Sequence, residues 1–129
     1  MRILYICTGN SYRSPLAEAL TRRYYPNLEV ESAGIHAVKE VAEVTKNQLD
    51  KRDALEYVKP GPDHVSQRAI DEADRVVCMM PKHSEYIKRN FEIDPTKIEV
   101  WNIEDPIHPD VKPEEAFEEI EEEVRNLDG

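Results

Sequence analysis

The chain has 129 residues, with 17 Lys and Arg against 27 Asp and Glu, a formal net charge of −10 at pH 7, 40% hydrophobic and 34% charged residues. That length fits a single domain spanning 1–129 with a core of its own, and the composition excludes a disordered or membrane-embedded chain. The acidic balance excludes a nucleic-acid partner, because duplex affinity rests on Lys and Arg neutralising phosphates, and any phosphorylated ligand must be held by a local positive field.

No apolar run approaches the roughly 20 residues that span a bilayer, so no membrane partner is expected. Ile3 to Ile6, directly after Met1-Arg2, is too short for a signal-peptide core. Cys7 and Cys78 lie far apart without a secretory signal and read as reduced thiols. A cytoplasmic monomer is the expectation.

Apolar runs alternate with helically spaced segments, which predicts an α/β fold: three layers, α/β/α, around a four-stranded parallel sheet. Ile3 to Ile6 is the first strand. Ser14-Pro15 reads as an N-cap with proline in the first turn of a helix, and Leu16, Leu20 and Tyr24 share one face of it. Leu28 to Glu31 alternates as a half-buried strand, closed by Ser32-Ala33-Gly34. Val38 to Leu55 is expected to be helical through Val41, Ala42 and Leu49, and Lys59-Pro60-Gly61-Pro62-Asp63 is a loop. Ser66 to Glu72 reads as a short helix, Val76 to Met80 as a buried strand stopped by Pro81, Lys82 to Asn90 as a helix and Ile98 to Trp101 as the fourth strand. Glu104 to Lys112 is a Pro-rich loop. Pro113 opens a last helix with Glu114 and Glu115 in its first turn and a stripe of Phe117, Ile120, Val124 and Leu127. Glu118, Glu119, Glu121, Glu122 and Glu123 form its solvated back.

The chemistry concentrates in Cys7-Thr8-Gly9-Asn10-Ser11-Tyr12-Arg13, between the first strand and the first helix. In open α/β sheets ligands bind beyond the carboxyl ends of strands, and a helix N-terminus offers unpaired N–H groups and partial positive charge. The segment therefore reads as a phosphate-binding loop after the first strand. Thr8, Gly9, Asn10, Ser11, Tyr12 and Arg13 would surround the anion. Gly9 is expected to let the backbone turn its amides inward, and Arg13 offers a planar fork matched to two oxygens. A helix N-terminus and a guanidinium favour the thiolate of a cysteine, making Cys7 a nucleophile toward phosphorus while amides and Arg13 hold the equatorial oxygens. This chemistry needs no metal or other cofactor. The ATP-binding P-loop pattern is not met, since its lysine is absent.

Cys7 to Arg13 with Ser14-Pro15 resembles the signature of the low-molecular-weight protein tyrosine phosphatases: Cys, five residues, Arg, Ser-Pro, with Gly-Asn at the third and fourth positions. Ser32-Ala33-Gly34 resembles that family's motif after its second strand, and Asp105-Pro106 stands where its Asp-Pro general acid lies. The resemblance implies a phosphatase acting on a phosphorylated protein or peptide through a phosphocysteine. Cys7, Arg13 and Asp105 would then be catalytic, with Asp105 first acid and then base. It also implies that Asn10, Ser14, Ser32 and His64 support the loop through hydrogen bonds. His36, His83 and His108 have no metal-site spacing.

Two departures bear on substrate and redox control. Tyr12 stands where many members have a second cysteine, so a vicinal disulfide with Cys7 is impossible. Ile107 and His108 stand where relatives carry aromatic walls, a role that Tyr12 or His36 would have to fill. The loop CTGNS is also similar to the CTGNT of the protein-arginine phosphatases of this family, where a small polar residue helps select phosphoarginine, so Ser11 leaves that substrate open. A third reading is a thioredoxin-coupled arsenate reductase. It needs further cysteines to relay a disulfide, and only Cys78, read as a buried strand thiol, is present. A phosphate-dependent binding module would tolerate loss of Cys7 and Asp105, which this chain retains.

Overall fold

Four parallel strands, β1 (Arg2–Cys7), β2 (Glu29–Gly34), β3 (Arg75–Cys78) and β4 (Ile98–Val100), form one sheet in the order β2-β1-β3-β4. The computed structural model describes residues 1–106 and 112–127. The central β1 places Cys7 beside Gly34 of β2 and Ile6 beside Cys78 of β3. Its side chains alternate between two cores. Ile3, Tyr5 and Cys7 pack with α1 (Arg13–Tyr24) and α5 (Pro113–Arg125) through Leu16, Leu20, Phe117, Ile120 and Val124. Leu4 and Ile6 pack with α3 (Gln67–Glu72) and α4 (Pro81–Asn90) through Ala69, Ile70 and Ile87. Each enclosed Leu or Ile contributes about 1.5–3 kcal/mol of burial. The order reverses between β1 and β3, so the segments that follow these two strands flank a crevice at their carboxyl ends.

Several elements differ from the sequence expectation. The helix expected over Val38 to Leu55 is confined to α2 (Glu43–Asp50), with a 3-10 turn at Leu55–Tyr57. The reason lies in residues 35–42, whose amides are spent on the loop after β1: Ile35 N–H donates to Cys7 O at 3.1 Å, His36 to Thr8 O at 2.8 Å, Val38 to Gly9 O at 3.1 Å and Ala42 to Ser11 O at 3.0 Å. α1 begins at Arg13 with Tyr12 as its N-cap, and Ser14 does not cap it, because its hydroxyl is committed to Cys7. The third strand ends at Cys78 instead of Met80, and Pro81 opens α4 as its first residue. On α5, Glu121 leaves the solvated back to which its spacing assigned it: it accepts from Tyr24 Oη at 2.8 Å and pairs with Arg52 at 3.2 Å.

Candidate active site

The loop Cys7–Arg13 is shaped from outside. Tyr12 O accepts from Thr45 Oγ1 at 3.0 Å, so together with residues 35–42 the surrounding chain takes up the carbonyls of Cys7, Thr8, Gly9, Ser11 and Tyr12. A trans peptide whose carbonyl points outward presents its N–H to the opposite side, which makes the loop's concave face a nest of donors. The turn itself is made by Asn10 at φ 53°, and Gly9 has no positive φ, which replaces the role expected of that glycine. Asn10 can hold this left-handed conformation because its short amide bonds to its surroundings. The glycine that is required is Gly34: a Cβ there would lie 2.6 Å from Thr8 O and 2.8 Å from Asn10 N, so only a bare backbone lets β2 touch the loop.

The Asn10 amide organises the cluster. Its Oδ1 accepts from Lys59 Nζ at 2.6 Å and from the Asp63 backbone at 2.8 Å, which fixes the amide's orientation. Its Nδ2 donates to Ser14 Oγ at 2.8 Å and to Ser32 Oγ at 2.9 Å. Ser32 in turn donates to the buried carboxylate of Glu18, which pairs with Arg22 at 3.0 Å. Ser14 Oγ lies 2.9 Å from Cys7 Sγ, and the Asn10 N–H reaches the same sulfur at 3.2 Å.

Arg13 is 2% exposed, an enclosure that a guanidinium tolerates only with acceptors and an opposite charge beside it. It donates from Nη1 to Ile103 O at 2.9 Å and from Nη2 to Thr8 Oγ1 at 3.4 Å, and Nη2 lies 3.7 Å from Asp105 Oδ2. Asp105 reaches it on a segment tied to the end of β3, where Trp101 N–H donates to Cys78 O at 3.0 Å and Ile103 N–H to Met79 O at 2.7 Å. Cys7, Thr8, Arg13 and Asp105 share a pocket of about 140 Å³ with Tyr12 and His36 on its wall, and His36 is held edge-on to Tyr86 at 5.7 Å. Ser11 also lines it, with its hydroxyl turned to Glu40 O at 2.8 Å.

Cys7, Thr8, Gly9, Ser11, Tyr12, Arg13 and Asp105 therefore converge on one cavity, and Asn10, Ser14 and Ser32 form one network behind it. His64 does not join that network. Its Nδ1–H donates to Val65 O at 2.9 Å and its ring faces Tyr86, while the backbone of residues 63–65 lines up with Gly34. Lys59 and the Asp63 amide occupy the supporting position instead, and Glu18, Lys59 and His83 are additions that sequence reasoning missed. For His83 the signal was its place just after β3, but without the sheet order nothing set that turn beside the loop. Cys78 points into the α3 and α4 core while Cys7 packs on the α1 side, and burial pushes the Cys78 thiol up to about 12. Ile107 and His108 lie outside the described residues. Among the described residues no group of His, Cys, Asp and Glu is arranged to hold a metal, and no helix is long and apolar enough to cross a membrane.

Comparison with known proteins places this geometry. The sequence model of the family described as "Low molecular weight phosphotyrosine protein phosphatase" matches residues 2–128. The low molecular weight protein-tyrosine-phosphatase PtpB of Staphylococcus aureus is 35% identical over 96 residues, a match that spans 70% of this chain and 65%, just under two thirds, of that relative's length. Among solved structures, the low molecular weight protein tyrosine phosphatase from T. tengcongensis superposes with a TM-score of 0.86 at 22% identity, covering 97% of this chain and 95% of the other. The YwlE arginine phosphatase from Geobacillus stearothermophilus gives 0.81 at 27% identity, covering 96% and 88%. A family-model match along nearly the whole sequence, together with a fold that gathers the loop residues at one cavity, means that the chain belongs to the low molecular weight phosphotyrosine protein phosphatase family.

Proposed function

We infer that the chain is a metal-independent phosphatase that hydrolyses phosphotyrosine in protein or peptide substrates through a phosphocysteine on Cys7. The observation that carries this reading is the pair of polar groups at one sulfur, Ser14 Oγ at 2.9 Å and the donating Asn10 N–H at 3.2 Å, beside a buried Arg13. Donors aimed at the sulfur stabilise negative charge on it, and the guanidinium with the loop amides supplies the positive field that a −10 chain must build locally.

In the first step a sulfur lone pair forms the S–P bond as the P–O ester bond breaks, and Asp105 gives its proton to the departing oxygen. In the second, the Asp105 carboxylate takes a proton from water, the water oxygen bonds to phosphorus, and the S–P pair returns to Cys7 with release of inorganic phosphate. Arg13 and the loop amides other than that of Asn10, which faces the sulfur, hold the equatorial oxygens throughout. Tyr12 and His36 supply the aromatic wall for the leaving group. The cytoplasm, with its reduced thiols, suits a nucleophile that has no vicinal cysteine to shield it.

The test is hydrolysis of para-nitrophenyl phosphate in EDTA. Wild type turns it over and Cys7→Ser does not. Equal activity of the two proteins overturns the reading.

A second substrate reading, phosphoarginine, is favoured by Ser11. Its side chain is small, and its hydroxyl is drawn off to Glu40 O, so the pocket is wider there than a branched aliphatic residue would leave it. Solved relatives include the YwlE arginine phosphatase. Phosphotyrosine and phosphoarginine peptides compared on wild type and Ser11→Ile decide between them: loss of phosphoarginine turnover alone in the variant favours the second reading, and parallel changes the first.

A further inference from the structure

Thr8 Oγ1 lies 3.0 Å from His83 Nε2 and 3.4 Å from Arg13 Nη2. The His83 tautomer follows from its other nitrogen. Nδ1 lies 3.0 Å from the Met80 backbone N–H, which can only donate, so Nδ1 accepts and the ring proton sits on Nε2. Nε2–H therefore donates to Thr8 Oγ1, and so does the guanidinium, which has no acceptor. A threonine hydroxyl offers two lone pairs and one hydrogen. With both lone pairs engaged, the hydrogen must point away from His83 and Arg13, and Thr8 lines the pocket that holds Cys7.

We propose that His83 is a positioning residue for oxyanion binding: by donating to Thr8 Oγ1 it turns the Thr8 hydroxyl into a hydrogen-bond donor directed at the anion in the Cys7 pocket. The proposal rests on reading that pocket as a phosphate site. It adds one side-chain donor to the amides and Arg13, and gives Thr8 a role beyond its backbone. The geometry is built rather than incidental. His83 is 0% exposed, it stands in the first turn of α4, and it bridges the crevice between the segments that follow β1 and β3. Burial first, then the charges of Arg13 and Lys82, push its imidazole down to about 3, so the neutral donor form persists wherever phosphate esters are dianionic.

The experiment measures the dissociation constant of inorganic phosphate by calorimetry, with melting temperature recorded for each protein. Thr8→Val, which keeps the shape and removes the hydroxyl, weakens phosphate binding about tenfold, and His83→Leu weakens it by a similar factor. Thr8→Ser and His83→Gln, whose amide can still donate, stay within about twofold of wild type. The double variant Thr8→Val with His83→Leu binds no more weakly than either single one, because both remove the same hydrogen bond. Wild-type affinity in Thr8→Val overturns the proposal, as do losses that multiply in the double variant. If His83→Leu does not fold, the contrast between Thr8→Val and Thr8→Ser decides alone. Absence of phosphate binding by wild type would overturn the reading of the pocket itself, an outcome separate from any difference among variants.

Discussion

Asn10 Nδ2 donates to Ser14 Oγ at 2.8 Å, and this contact fixes the serine oxygen beside Cys7 Sγ. With the amide locked by Lys59 and Asp63 on its oxygen side, Ser14 receives one hydrogen and has its own left for Cys7 Sγ, 2.9 Å away. When Cys7 is a thiolate it has no proton to give, so Ser14 is the donor of that pair, and Asn10 holds the serine oxygen in place for it.

Ser14→Ala removes that donor and leaves the fold intact. A hydrogen bond to a charged group is worth about 1.5–3 kcal/mol, so kcat for para-nitrophenyl phosphate drops roughly 10- to 100-fold. Steady-state rates at fixed pH check this, and a kcat within twofold of wild type refutes it.

Asp105→Asn keeps the side chain's size and removes its proton chemistry. Turnover of a poor leaving group, such as a phenyl phosphate, slows by roughly 10²- to 10⁴-fold, while an activated ester that needs no protonation on departure is much less affected. Equal slowing of both esters would assign the residue a different part.

The two glycines near the loop respond in opposite ways. At Gly34 an added methyl meets Thr8 O at 2.6 Å and Asn10 N at 2.8 Å, so Gly34→Ala forces the loop off β2, lowers stability by about 1–3 kcal/mol and abolishes most activity. At Gly9 the nearest atom is Val38 Cγ1 at 3.4 Å and φ is not positive, so Gly9→Ala folds with near-normal stability. Urea denaturation of the pair is the measurement, and equal loss from both would contradict this account.

His83 makes stability depend on pH. Its imidazole titrates near 6.5 when unfolded and at about 3 when folded, held down by burial and by the facing charges of Arg13 and Lys82. Below pH 6.5 the unfolded chain binds a proton that the folded chain refuses, so stability declines as pH falls through this window and is unaffected above it. At pH 5 the loss is about 2 kcal/mol relative to pH 7.5. His83→Gln removes this part of the slope, which urea midpoints at the two pH values reveal.

Much of this was legible in the sequence because the signals were local. Ile3 to Ile6, Phe117 to Val124 and the alternation of strand and helix follow from periodicity, and Cys7 to Arg13 is a contiguous motif whose spacing carries its chemistry. What escaped was the nonlocal part. Residues 38–42 look helical by composition but give their amides to Gly9 and Ser11, a demand that only the folded sheet creates. Lys59 lies in a Pro- and Gly-rich loop that points to nothing but a turn, and its bond to Asn10 Oδ1 exists only once the fold has brought that loop beside residue 10. Asp105 was reached through its motif, because no local pattern distinguishes one loop carboxylate among 27 acidic residues.

The outward grip on the loop carbonyls by residues 35–42 keeps two properties of this loop apart. The curvature of the cradle is set by backbone bonds to a neighbouring segment, and the character of its wall by the side chains at 11 and 12. On the proposed phosphatase reading, changes at Ser11 and Tyr12 alter which ligand fits the wall while the curvature of the cradle stays in place.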